Sequence, residues 1–141
     1  MIATTSTTID PAYAADLRRR RSRDIAESIV DAAHHALPDD RATIRAIYAD
    51  GMSVKEVAQL RATSPRALRR HVRRTVERLL SSRFTYVLAN RDDWPPTRRR
   101  VATACILQGR PLRAAAKHLR ISLHAVRRQM DVINALHDAN A

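Results

Sequence analysis

The stretch Tyr48-Ala49-Asp50-Gly51-Met52-Ser53-Val54-Lys55-Glu56-Val57-Ala58 closes one helix and opens another. Upstream of it, Leu37-Pro38-Asp39-Asp40 favours a helix start, and Ile44, Ile47 and Tyr48 recur at the spacing of one inward helical face. Gly51 ends that helix. Ser53-Val54-Lys55-Glu56 is a capping box, in which the Ser53 hydroxyl and the Glu56 carboxylate satisfy free amides at the start of the next helix. Beyond Ala58, Ser64 supplies an N-cap and Pro65 a first helical residue for a third helix. That helix carries Leu68, Val72, Val76 and Leu79 on one face and Arg66, Arg69, Arg70 and Arg73 on the other.

The pattern recurs. Gly51 and Gly109, the two glycines of the chain, stand fifty-eight residues apart. At that offset Ala58 falls on Ala116, Ser64 on Ser122, Ala67 on Ala125, Leu68 on Val126, Arg69-Arg70 on Arg127-Arg128 and Val72 on Met130. In the second copy Val101, Ala104, Cys105 and Ile106 line a first helix, and Pro111 opens a second with Ala115, Ala116 and Leu119. Ser122 caps a third, with Val126, Met130, Ile133 and Leu136 inward and His124, Arg127 and Arg128 outward. Each copy reads as a helix-turn-helix, and the small Ala58 and Ala116 stand where two helices of such a unit cross closely.

The expected fold is therefore all-α, two tandem helix-turn-helix units behind an N-terminal helix. Residues 1–36 form a flexible tail followed by a basic helix that Pro11 starts and that runs to about Ala36, with an imperfect stripe of Leu17, Ile25, Ile29, Ala33 and Ala36. Residues 37–90 form the first unit, its third helix extended past Leu80 through Phe84, Val87 and Leu88. Arg91-Asp92-Asp93-Trp94-Pro95-Pro96 breaks that helix, because consecutive prolines cannot sit inside one, and residues 91–141 form the second unit.

Composition narrows the function classes. The formal charge is +12 over 141 residues, and 24 of the 26 basic residues are Arg. Guanidinium groups stay charged and form paired hydrogen bonds with phosphate and guanine, so such a balance points to nucleic acid. With 4% aromatic residues, the core is built from Ala, Leu, Val and Ile. A lone Cys105 excludes a disulfide framework and fits a reducing cytoplasm. The N-terminus lacks an apolar signal region, and Asp10, Asp16, Asp24 and Glu27 argue against a transit peptide. No run approaches eighteen apolar residues, so no membrane association is expected.

Tyr48 to Ala58, followed by Ser64 and the Leu68-to-Val72 spacing, resembles bacterial sigma-factor region 4 and the related LuxR-type helix-turn-helix. The resemblance covers about Leu37 to Leu80 and, more weakly, Pro96 to Leu136. It implies that the third helix of each unit lies in the major groove, with Ser64, Arg66, Arg69, Arg70, Arg73, Ser122, His124, Arg127 and Arg128 as base-reading positions. The family has Leu-Gly in the turn, where this chain has Arg61-Ala62 and Leu119-Arg120. A non-glycine residue in a left-handed turn costs on the order of 1 kcal/mol, so a remodelled turn is expected there. A complete sigma factor is not expected, since the first 36 residues supply only Tyr13 as an aromatic for promoter melting.

The functional expectation is a sequence-specific regulator of transcription that binds double-stranded DNA, in a cytoplasmic, nucleoid-associated setting. Lys55, Arg61, Arg98, Arg99, Arg100, Arg110, Arg113, Lys117 and Arg120 would hold phosphates and set register. Arg18 to Arg21 and Arg23 read either as a solvated helix face or as a phosphate-binding arm. Two other classes stay open: a DNA-architecture or recombination accessory protein, and a sigma-region-4-like adaptor that binds RNA polymerase or an anti-sigma factor. A homodimer seam has two candidates, the N-terminal helix and the Ser64-to-Leu88 segment. Neither enzyme activity nor a cofactor nor a small-molecule ligand is expected, because there is no Gly-rich phosphate loop, acidic metal cluster or nucleophile beside a base.

The remaining conspicuous residues read as structural. Cys105 sits on an apolar helix face and reads as packing. His34-His35 and the His118/His124 pair do not complete a metal shell, so no metal is expected. Trp94 reads as a plug between the units, and Asp39-Asp40 and Asp92-Asp93 as helix-start charges.

Overall fold

The computed structural model describes residues 10–141; of the expected loose tail, Met1 to Asp10, all but Asp10 lies outside them. The described chain is all-α, without a strand. Its helices are α1 (Pro11–Ala33), α2 (Pro38–Tyr48), α3 (Val54–Leu60), α4 (Pro65–Leu79), α5 (Ser82–Asn90), α6 (Pro96–Ala102), α7 (Leu112–Leu119) and α8 (Leu123–Ala139). A 3-10 turn, Arg91–Asp93, precedes α6, and a π-helical segment, Thr103–Leu107, continues it.

Local signals place most of the boundaries. The Asp10 side chain accepts from the Ala12 amide and Pro11 follows at N1, so α1 starts where expected. Ser53 and Glu56 make the reciprocal capping box at α3, with Ser53 Oγ accepting from the Glu56 amide at 3.1 Å. Ser64 and Ser122 cap α4 and α8 through the Ala67 and Ala125 amides. Asp39 and Asp40 lie in the first turn of α2, whereas Asp92 and Asp93 fall in the 3-10 turn and not at the start of α6.

Two helix extents depart from expectation. The third helix of the first copy does not run through Phe84 and Leu88: α4 ends at Leu79 and α5 starts afresh. Ser81 causes the break, its hydroxyl donating to the Arg78 carbonyl at 2.7 Å and accepting from the Phe84 amide at 3.2 Å. α1 ends at Ala33, before Ala36, and its stripe is only partly used. Ile29, Ala33 and Ala36 are buried, but Leu17 and Ile25 are 42% and 43% exposed.

The fifty-eight-residue repeat extends to the backbone hydrogen bonds. Met52 N–H donates to the Ala46 carbonyl at 2.9 Å, and Arg110 N–H donates to that of Ala104 at 3.0 Å. Gly51 and Gly109 take φ values of 72° and 71° at these corners. Further on, Thr63 N–H donates to Ala58 O at 3.0 Å and Ala62 N–H to Gln59 O at 3.2 Å. Ile121 to Ala116 at 3.1 Å and Arg120 to Lys117 at 3.3 Å repeat the pair. Both are Schellman closures, which need one left-handed residue. The turns are therefore not remodelled: Ala62 (φ 50°) and Arg120 (φ 57°) adopt the strained conformation without glycine's help.

A single apolar cluster runs through the molecule from Ile29 to Ile133 and includes residues of every α-helix. Ala58 and Ala116 are inside it, at 0% and 8% exposure. Phe84 and Val87 of α5 are buried, and α5 packs on the π-helical segment and on α8. Arg83 donates to Asn134 Oδ1 at 2.9 Å, and the Tyr86 and His137 rings meet edge-on at 5.5 Å. Trp94 is half-buried against the cluster, 6.0 Å from the Tyr86 ring, which is packing between elements and agrees with a plug.

Candidate nucleic-acid interface

Packing on one side of α4 determines what the other side displays. Leu68, Val72, Thr75 and Leu79 are buried, which turns Arg66, Arg69, Arg70 and Arg73 outward at positions i, i+3, i+4 and i+7 of a single face. All four are exposed, and they alone line an open depression of about 310 Å³. Among the described residues no ion pair holds any of them. Four like charges on one helical face repel one another, so the core side of α4 keeps this array in place, and an external anion would be welcomed.

α8 presents the equivalent positions with less charge. His124, Arg127 and Arg128 are exposed and occupy the places of Arg66, Arg69 and Arg70. The place of Arg73 is taken by Asp131, also exposed. Sequence reading missed this carboxylate, although the repeat offset marks it. Ser64 and Ser122 both use their hydroxyl oxygens as cap acceptors, which leaves each O–H as a donor.

The nine expected phosphate-binding residues divide into two groups. Lys55, Arg113, Lys117 and Arg120 are exposed and form no ion pair among the described residues. Lys55 and Arg113 take equivalent places in the first turns of α3 and α7. The other group is tied to the fold. Arg61 donates to the Asp39 carbonyl at 3.1 Å, Arg98 to Gln129 at 3.2 Å, Arg100 to the Leu119 carbonyl at 3.1 Å and Arg110 to Gln108 at 3.0 Å. Arg99 is half-buried and lines a cleft of about 490 Å³ with Arg91, Arg100 and His118.

At a junction that sequence reading did not foresee, the first copy touches the second. Arg78 of α4 lies over Gly109, close enough that a Cβ there would overlap its guanidinium. Asp40 faces Arg78 at 4.0 Å and binds His71 Nε2 at 2.6 Å. Arg78 Nε and Nη2 are buried without a hydrogen-bond partner. Burial pushes the guanidinium pKa below its ordinary value, with the Asp40 carboxylate acting in the opposite direction. Gly109 thus suits the corner through its positive φ, and a side chain there would also displace the Arg78 guanidinium.

Cys105 is half-buried, and desolvation raises its thiol pKa, the opposite of what a nucleophilic thiolate needs. His35 is pushed below its usual value by burial first, then by Arg91 and His34. No described helix is long and apolar enough to cross a membrane. Compared with known proteins, the chain matches no protein-family model, no curated protein and no solved structure.

Proposed function

We propose that this chain is a sequence-specific regulator of transcription that binds double-stranded DNA through two tandem helix-turn-helix units, α2–α4 and α6–α8. In this reading α4 and α8 enter the major groove, as the resemblance to sigma-factor region 4 and LuxR-type units implies. The observation that carries it is the face of α4, where four exposed arginines stand at one-face spacing with no carboxylate among them. Arginine is suited to this place because its planar fork can bind guanine O6 and N7 with two hydrogen bonds. Lys55 and Arg113, at the starts of α3 and α7, would grip the flanking phosphates together with Lys117 and Arg120. A nucleoid-associated setting belongs to the same proposal, and no catalytic role does.

One observation favours a second reading for α8 alone. Asp131 breaks the basic face, so α6–α8 would serve as an adaptor surface for RNA polymerase or an anti-sigma factor while α4 reads DNA. The main reading is tested by selecting bound sequences from random duplex DNA and then measuring Arg69→Ala and Arg70→Ala on the selected site. Each substitution should cost about 1–3 kcal/mol there and relax base choice at one or two positions. If random DNA is weakened equally, these side chains hold phosphate and do not read bases. An inverted-repeat motif together with the mass of the complex would identify a homodimer.

A further inference from the structure

The first half of α1 stands away from the body of the molecule. The groove between α1 and the end of α2 takes in Arg23, Ala26, Val30, Tyr48 and Ala49. From Pro11 to Arg23 nothing is buried, and only Ala14 and Ala15 are partly covered. About twelve residues therefore project as helix, roughly 18 Å of it. A helix this short is marginal in water without something to pack against. Its composition says what could cover it: Arg18, Arg19, Arg20, Arg21 and Arg23 against Asp16 give Pro11 to Arg23 a net charge of +4. The one ion pair there, Arg19 to Asp16 at 3.7 Å, is fully on the surface and contributes little.

The arrangement of these arginines discriminates between anionic partners. Successive residues turn by about 100°, so Arg18 to Arg21 sweep roughly 300° of the helix circumference. A helix that lies on a flat bilayer segregates its charges from an apolar face, and this one has cations nearly all round. Pairing with a second copy would set like charges against one another. A groove walled by phosphates on both sides meets all of them at once, and the major groove of duplex DNA is wide enough to admit a helix. Tyr13 and Leu17, four residues apart and 58% and 42% exposed, add an apolar strip near the tip, suited to contact with the sugars that wall the groove.

We infer that the projecting half of α1 is a third DNA-binding element, a basic helix that occupies a groove of duplex DNA. The inference rests on the DNA-binding reading above. It adds an anchor of sequence-independent affinity, since arginines without a fixed supporting shell grip backbone phosphates and do not select bases.

The test is salt-dependent binding of the full chain to a labelled random-sequence duplex, comparing wild type with a variant in which Arg18, Arg19, Arg20 and Arg21 are all Ala. A second variant places Lys at the same four positions. Alanine favours helix and the positions are exposed, so far-UV circular dichroism and melting should stay at wild-type values. The slope of log affinity against log salt should fall by up to about 3.6 in the Ala variant, about 0.9 for each phosphate no longer neutralised, with at least a roughly tenfold loss of affinity near 0.1 M salt. The Lys variant should keep the slope. If wild type binds DNA and the Ala variant has the same slope, the arm does not touch DNA, while the reading of α4 stands. Failure of wild type to bind any duplex would defeat both. Sedimentation with phosphatidylserine–phosphatidylcholine vesicles, abolished in the Ala variant while the DNA slope is unchanged, would overturn the inference in favour of a membrane.

Discussion

Ala62 offers a test of the turn geometry on which the orientation of α4 depends. It holds φ 50° at the end of α3, in a Schellman closure between the Ala58 carbonyl and the Thr63 amide. A left-handed conformation costs a non-glycine residue about 1–2 kcal/mol, and Ala62→Gly removes that cost. Glycine also gives the unfolded chain more freedom, which offsets about 0.4–1 kcal/mol. The net expectation is stabilisation by roughly 0.5–1 kcal/mol. Unfolding entropy of about 2.1 cal/mol/K per residue gives a chain of this length about 0.3 kcal/mol/K, so Tm should rise by roughly 2–3 °C. Arg120→Gly relieves the same strain in the second copy. The two sites share no partner, so the double variant should gain roughly 5 °C. Thermal melts by circular dichroism would measure this, with Ala42→Gly at an exposed position of α2 as a control expected to lose about 1 kcal/mol. If Ala62→Gly destabilises as the control does, the residue is not left-handed and the α3–α4 corner has been misread.

Four other substitutions address the junction and the second unit. Gly51→Ala should cost about 1 kcal/mol through its positive φ alone, whereas Gly109→Ala should cost more because its Cβ also meets Arg78. Chemical denaturation would show the excess, and Arg78→Met should remove it; equal costs at both glycines would dissolve the junction. Asp131→Ala should raise DNA affinity roughly twofold to fivefold, about 0.5–1 kcal/mol, if α8 lies on DNA, because a carboxylate near phosphates is repelled. Fluorescence anisotropy would decide it, and an unchanged affinity would move α6–α8 to the adaptor reading.

Elements with local causes were legible in the chain alone. Ser53, Ser64 and Ser122 cap the helices they precede, because a cap needs only a hydroxyl and an amide three residues on. The apolar spacing of Leu68, Val72 and Leu79 decided which face of α4 is buried, and hence that Arg66, Arg69, Arg70 and Arg73 face out. The repeat offset likewise located the second set of positions, including Asp131, whose charge was legible and passed over. The break at Ser81 has a local cause of the same kind, a hydroxyl that accepts from the Phe84 amide three residues on, but apolar periodicity running unbroken from Leu79 to Leu88 masks it in the sequence. Competition between distant groups settled the rest. Leu17 and Ile25 satisfy the helical pattern as well as Ile29 does, but the body of the protein reaches only far enough to cover Ile29. The pairing of Arg78 with the Gly109 corner, thirty-one residues away, follows from how the two copies dock. Caps and periodicity act within a turn or two of helix; burial depends on which surfaces the rest of the chain brings into reach.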